Sequence, residues 1–450
     1  MKKEFFGSKI GFILAAAGSA VGLGNIWRFP YLAAKYGGGI FLLVYIVLAI
    51  TFGFSLMVSE ISLGRKTGKS VIGSYEAADK RFKFLGPVAA AVPFIITPYY
   101  CVIGGWVLKY LALFVTGKGT DAAGDGSYFS GFIGTVGQPT VFFLIFAILT
   151  ALVVLFGVEK GIEKISKILM PALIVLTIGI AIYTMTIPGA MEGVKYYFLP
   201  NFEGFTFTKL LKTIVAAMGQ MFYSMSLAMG IMVTYGSYMR KEDSVESSVR
   251  NIELFDTGVA VLAGMIIVPA VFAFSGGDAN ALNAGPSLMF ITLPNVFQSM
   301  KGGQIVGAAF FVLVALAALT SSISLLETMV SIVCEKFNIS RKGGTIAATV
   351  VVFVLGMMSV FGYSIWDKVT VIGYQILDFF DFISNNVLMP IVACLTCILI
   401  GLIKKTKYIE DEVEECGNKF TGKKLYRVMI KFICPVFMII ILITPLLTEL

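Results

Sequence analysis

The stretch GSAVGLGNIWRFP, Gly18 to Pro30, decides how this chain is read. It lies inside an apolar run that begins near Lys9, yet it sets Gly18, Gly22 and Gly24 around Ser19, Asn25 and Arg28. In hydrocarbon an unpaired backbone N–H or C=O is costly, so a helix is interrupted there only where protein, water or a ligand satisfies the freed groups. Taken by itself the stretch has two readings. Glycines can simply let helices pack closely in a membrane. Alternatively, Gly22 and Gly24 unwind the backbone and expose carbonyls on one side and N–H groups on the other. The carbonyls, with the amide oxygen of Asn25, would then suit a hard cation, and the helix N-terminus a carboxylate.

Composition identifies the solvent. Of 450 residues, 57% are hydrophobic and 14% charged, far from the roughly half apolar and one quarter charged of a soluble domain. A helix needs roughly 20 apolar residues to cross a hydrocarbon layer of about 30 Å, so spans consume most of the length and no separate soluble domain fits. About eleven are expected, near residues 9–32, 39–62, 84–115, 139–157, 164–186, 209–238, 252–275, 304–335, 345–363, 372–403 and 427–448. Basic loops such as GRKTGKS, KRFK, EKGIEKISK, YMRKED and EKFNISRK alternate with VTGKGTDAAGDGSYFSGFIGTVGQPT and SGGDANALNAGPS, where Lys and Arg are scarce. The positive-inside rule puts the N-terminus in the cytoplasm and, with an odd number of spans, the C-terminus outside. MKKEFFGSK reads as a retained cytoplasmic tail, since no small-residue cleavage pattern follows it. This loop bias accounts for the net charge of +8, which is then no argument for nucleic acid.

Several motifs read as structure. Cys394 and Cys397 form a CxxC on an apolar helix in a chain without histidine, so packing is favoured over a metal or redox pair, and no cysteine lies where an extracellular disulfide would form. GRKTGKS misses the phosphate-loop spacing by one residue. Asn338 opens an NIS sequon on the predicted cytoplasmic side, where it is not glycosylated.

A second interruption separates the two readings of Gly18–Pro30. GQMFYSMSLAMGIMVTYGSYMRK, Gly219 to Lys241, mixes Gly219, Ser224, Ser226 and Gly230 into the sixth span, five spans after the first. Interrupted segments at corresponding places in two halves point to an inverted-repeat transporter with its site at the midplane. No residue-level repeat supports the symmetry; the inference rests on span order.

With these motifs the chain resembles the bacterial neurotransmitter:sodium symporter family and its leucine-transporter-type fold. The likeness runs over nearly the whole length: GSAVGLGNIWRFP, YGGGIF, MVSEISLGR, PYYCVIGGW, GQMFYSMSLAMG, LAALTSSIS and LDFFDFISNNVLMP. It implies an all-α membrane protein with two inverted five-helix repeats, residues 1–186 and 187–403, discontinuous helices 1 and 6, and a further loop and helix over 404–450. It also implies import of an amino acid or amine driven by sodium, in a bacterial cytoplasmic membrane. One sodium would meet Ala20, Asn25, Ser224, Asp256 and the substrate carboxylate; the other Gly18, Val21, Ala317, Thr320 and Ser321. Small hard cations want such oxygen ligands, although a TSS hydroxyl can instead bond back to its own helix.

By the same resemblance the substrate carboxylate meets Leu23, Gly24 and the hydroxyl of Tyr100, and the ammonium meets Ala20, Tyr223, Ser226 and Ser19. Ile96, Tyr223, Ser226, Met229, Ser321 and Leu325 would surround the side chain. No charge faces that pocket, which suits a neutral amino acid. Flexible Met229 favours a large hydrophobic or aromatic one; Ala228, where many relatives have glycine, favours a small one such as glycine or alanine. Arg28, Asp381 and Gln220 resemble an outer gate, and Lys3 with Glu335, aided by Tyr238 and Ser237, an inner one. Phe6 replaces a tryptophan plug, and Lys3 lacks the fork of the usual arginine. Glu60 and Glu327 are expected to serve structural hydrogen bonding only. Gly161 and Pro171 frame a stretch that unwinds in relatives. Asp256 stands about where an asparagine is expected and would supply a fixed negative charge in place of chloride, which neighbours the first sodium of animal relatives at positions resembling Tyr45, Gln220 and Ser224.

No nucleophile, base and orienter set suggests an enzyme, and the polar groups cluster at two depths rather than in the continuous stripe of a channel. Proton coupling through Asp256 remains the alternative within transporters. Expected partners are the substrate, two sodium ions and membrane lipid, without an obligate protein partner.

Overall fold

The computed structural model describes residues 4–124, 126–276 and 287–448; Lys3 and most of SGGDANALNAGPS lie outside them. No β-strand occurs among the described residues. Among the described residues, nine continuous helices are long and apolar enough to cross a bilayer: Gly39–Thr67, Leu85–Val115, Gly137–Leu155, Val158–Met185, Val245–Ser275, Gly303–Phe337, Arg341–Gly362, Ile376–Ile403 and Lys423–Thr444. They are the second to fifth and seventh to eleventh expected spans. The first span is a bent pair, Lys9–Ala20 and Gly24–Lys35, with 55° between its halves. The sixth is broken over Met225–Gly230 into Phe207–Ser224 and Ile231–Ser237.

Local signals set the ends. Ser8, Ser244 and Ser340 each cap a helix start, accepting from the N–H of Gly11, Ser247 and Gly343 respectively, as a side-chain oxygen at that position does. The seventh span therefore begins at Val245, ahead of the expected 252, because its polar first turns extend past the apolar stretch that hydropathy detects. The fifth span corrects the expectation at Gly161 and Pro171. Instead of unwinding, it opens with a wide π turn over Val158–Glu163 and runs as α-helix through Pro171. The lost ladder bond at a proline does not interrupt it.

Short helices not expected from the sequence lie in the loops, among them Val71–Ala78, Ala190–Phe198 and Lys407–Val413. The last is fastened to its surroundings by Arg65–Glu412 at 2.8 Å and Arg427–Glu410 at 2.7 Å. The Arg427 guanidinium pulls the Glu410 carboxyl down to about 2.

The second half of the sixth span, Ile231–Ser237, lies directly on the second span. A Cβ added at Gly64 would overlap the Val233 carbonyl, and one at Gly236 the Ile61 carbonyl, so only glycine allows this backbone approach. Overpacking a tight contact costs about 1–3 kcal/mol. Gly64→Ala and Gly236→Ala should each lower thermal stability by that order, while Gly258→Ala, whose Cβ meets nothing within 4 Å, should leave the melting temperature unchanged or slightly raised.

Candidate functional site

The two breaks face each other across the third and eighth spans. Every residue expected to contact a substrate lines one buried cavity: Ser19, Ala20, Leu23, Gly24, Ile96, Tyr100, Tyr223, Ser224, Ser226, Met229, Ser321 and Leu325, with Gly22, Asn25 and Ile231 added. Its free volume is about 20 Å³, room for about one water. A bulkier guest is therefore admitted only as lining side chains move.

Glycine is required on both sides of the first break. A Cβ at Gly22 would come within 2.7 Å of Ser321 Oγ and 3.0 Å of the Tyr100 hydroxyl, and one at Gly24 within 2.7 Å of the Tyr223 ring. The freed Leu23 N–H donates to the Tyr100 hydroxyl at 3.3 Å. In the second break Ser226 and Ala228 adopt φ of 54° and 57°, a left-handed conformation that costs a non-glycine residue about 1–2 kcal/mol. The Ala228 N–H is held by Glu60 Oε1 at 2.7 Å, so Glu60 reaches from the second span to secure the strained linker.

Hydroxyls bridge the breaks. Ser324 donates to Ser19 Oγ at 2.7 Å, Ser19 to Ser226 Oγ at 3.3 Å, and Ser226 to the Ser19 carbonyl at 3.0 Å. Ser321 lies within 3.0–3.4 Å of the carbonyls of Gly18, Ser19 and Val21. Thr320, in contrast, donates back to Leu316 and Ala317 of its own helix at 3.1 Å, which leaves its lone pairs available. Gly18, Val21, Ala317, Thr320 and Ser321 thus meet at the junction of the first and eighth spans.

On the other side of the cavity, three donors converge on Asp256. Asn25 Nδ2 lies 2.7 Å and Ser224 Oγ 2.8 Å from Oδ1, and the Tyr45 hydroxyl is 3.3 Å from Oδ2. Asn25 Oδ1 accepts from the Gly22 N–H at 3.1 Å. No cluster of three or more His, Cys, Asp or Glu side chains occurs among the described residues. A cation here would rely on carbonyl, hydroxyl and amide oxygens with a single carboxylate, a set that suits a hard, weakly selective ion.

Toward the end away from the basic loops, the Arg28 guanidinium lies 5.5 Å from the Tyr223 ring centroid. Gln220 Nε2 donates to the Gly24 carbonyl at 3.0 Å. Asp381 accepts from Tyr99 at 3.0 Å and from Asn385 at 2.6 Å; neither donor was expected from the sequence.

The end carrying the basic loops differs from expectation. Glu335 accepts from the Ser70 N–H at 2.5 Å, while Tyr238 donates to Glu327 at 2.7 Å. Glu327 is more than the hydrogen-bonding group expected: fully buried, it forms an ion pair with Arg341. Arg341 also reaches Glu4 at 3.2 Å and the Val154 carbonyl at 2.9 Å. One guanidinium therefore joins the N-terminal segment to the fourth, eighth and ninth spans. Phe6 packs edge-on against Phe12 and Tyr235. A cavity of about 440 Å³ opens beside this cluster, lined by Glu4, Lys69, Tyr238, Glu327, Glu335 and Arg341 among others. Arg341 lies in a stretch, EKFNISRK, that the sequence offered only as a basic loop; its acid partner in the eighth span was the available signal.

Comparison with known proteins gives a consistent result. The pattern of the sodium:neurotransmitter symporter family matches residues 3–120 and 127–449. An uncharacterized sodium-dependent transporter of Bacillus subtilis is 36% identical over 441 residues, covering 96% of each chain. Another from Haemophilus influenzae is 31% identical, covering 99% of this chain and 98% of its own. Among solved structures, MhsT in complex with L-phenylalanine superposes with a TM-score of 0.87 at 39% identity, covering 98% of this chain and 99% of that one.

Removing one partner of a buried ion pair leaves the other uncompensated, at a cost of about 3–5 kcal/mol, whereas removing both charges is tolerated. Arg341→Met should strongly lower the melting temperature of the purified protein. Adding Glu327→Gln to it should recover most of the loss. Equal melting of the single and double variants would show that the pair is not coupled.

Proposed function

Because the chain belongs to the sodium:neurotransmitter symporter family, whose members are sodium-dependent membrane transporters, we propose that it imports a neutral hydrophobic or aromatic amino acid together with two sodium ions. The observation that carries this reading is the cavity between the two helix breaks. Its lining offers hydroxyls, backbone polar groups and apolar side chains, and none of its lining residues is charged. The Leu23 N–H and the Tyr100 hydroxyl would take the carboxylate; Ser19, Ser226 and nearby carbonyls would take the ammonium. Ile96, Met229 and Leu325 would enclose the side chain. The phenylalanine bound by MhsT favours a large substrate over glycine, alanine or an amine.

The two oxygen clusters flanking this cavity would hold the ions, one at Ala20, Asn25, Ser224 and Asp256, the other at Gly18, Val21, Ala317, Thr320 and Ser321. Residues 1–186 and 187–403 would form the two inverted repeats that rock about the site. The basic-loop end would face the cytoplasm of a bacterial cell, with the N-terminus inside and the C-terminus outside. Arg341, Glu327 and Glu4 would form the inner closure, and Arg28, Gln220 and Asp381 the outer one.

A ligand that binds only the folded state raises stability by mass action. In sodium chloride, neutral apolar or aromatic amino acids should raise the melting temperature, and in choline chloride they should not; hits confined to acidic or basic amino acids would sink the reading. Asn25→Ala and Thr320→Ala should each raise the sodium concentration needed for the shift by about tenfold, the equivalent of one lost ligand contact. Unchanged sodium dependence in both would remove the two-ion assignment.

The carboxylate of Asp256 would also provide the fixed negative charge that balances the cations, making transport independent of chloride. Uptake into proteoliposomes should be unchanged when gluconate replaces chloride, while Asp256→Asn should weaken uptake and make the remainder chloride-stimulated. Chloride dependence of the unaltered protein would overturn this, and sodium-free uptake driven by a pH gradient would favour proton coupling through Asp256.

A further inference from the structure

A groove lies on the outside of the bundle, apart from the transport site. It encloses about 710 Å³ where the third, eighth and ninth spans meet near the basic-loop end. Its walls are apolar, including Pro87, Ala91, Phe94, Ile332, Ala347 and Val351, and the single charged residue lining it is Lys336. Lys336 stands in the last turn of the eighth span, beside Phe337, which is 68% exposed. The other two spans that build the groove also begin next to lysines: Lys83 precedes the third span at Leu85, and Lys342 opens the ninth after Arg341. None of these three lysines has an ion-pair partner among the described residues, whereas nearby Arg81 and Lys404 share Asp79.

Apolar walls and an unpaired lysine at the rim, in a protein surrounded by lipid, match a molecule with a hydrocarbon chain and an anionic head. We infer that the groove is a binding site for an anionic phospholipid, one acyl chain lying between the third, eighth and ninth spans and the phosphate meeting Lys336. The chain would fill the groove, and the lysine stem would lie along it while its ammonium reaches the head-group level. The occupant touches two spans that also build the transport cavity, the third through Ile96 and Tyr100 and the eighth through Ser321 and Leu325. Lipid in the groove would brace these spans against each other.

The test uses the full chain, delipidated in detergent and melted with added lipid. Phosphatidylglycerol should raise the melting temperature by about 2–4 °C, and phosphatidylcholine with the same chains should not. Lys336→Ala should lose the shift and Lys336→Arg keep it. Ala347→Phe, which fills the groove from its exposed side, should lose the shift with the basic rim intact. Glycerol phosphate alone should have no effect, since it lacks the chain. An equal shift with phosphatidylcholine or with glycerol phosphate, or a full shift in Lys336→Ala or Ala347→Phe, would overturn the inference.

Discussion

Backbone hydrogen bonding in a medium without water governs this structure. Two spans give up part of their helical ladder in the middle of the bundle, and everything nearby is arranged to satisfy what they release. The Tyr100 hydroxyl accepts the Leu23 N–H, Gln220 donates to the Gly24 carbonyl, Asn25 folds back on the Gly22 N–H, and Glu60 captures the Ala228 N–H. Asn25 apart, each of these groups comes from another span, so the breaks are a tertiary feature encoded only partly where they occur. The same groups give the cavity its polarity. Structural need and ligand recognition are met by one set of atoms.

Charge is distributed by depth. At the level of the breaks two carboxylates stand out: Glu60, which holds the Ala228 N–H, and Asp256, on which three donors converge. Ion pairs occur toward the ends, where water is near: Arg341 with Glu327 and Glu4 beside the 440 Å³ cavity, and Arg65 with Glu412 in the adjoining loop. A carboxylate in a low-dielectric centre sets a strong local field, and a mobile cation is the natural complement to Asp256.

Much of this was legible in the sequence. Hydropathy located the spans, because length and apolarity report directly on bilayer thickness, and Gly22 and Gly24 marked the first break, because close approach by Ser321 and the Tyr223 ring leaves no room for a Cβ. The residues gathered at the cavity were read through family resemblance to the quoted motifs. What was missed depended on side chains meeting across the fold. Arg341 appeared as one more basic loop residue, and nothing local linked it to Glu327 across a helix end. Ser324 ends the LAALTSSIS motif one turn beyond Thr320, yet its bond to Ser19 depends on the first span packing beside it. Tyr99 became a partner of Asp381 through the packing of the third span on the tenth, whereas Asn385 reaches it from one turn along the same helix. The continuity of the fifth span through Pro171 was hidden as well, since a proline signals a lost bond without saying whether the helix proceeds.

The serine chain between the breaks has a property that carbonyls and charges lack. A hydroxyl is donor and acceptor at once, and it exchanges these roles by rotating one hydrogen. Ser324, Ser19, Ser226 and Ser321 link the eighth, first and sixth spans in this way. The polarity of the whole chain can therefore be reversed without displacing an oxygen: hydrogens directed at carbonyls can turn away and leave lone pairs in their place. The wall between the two oxygen clusters is in effect a reorientable dipole of constant shape.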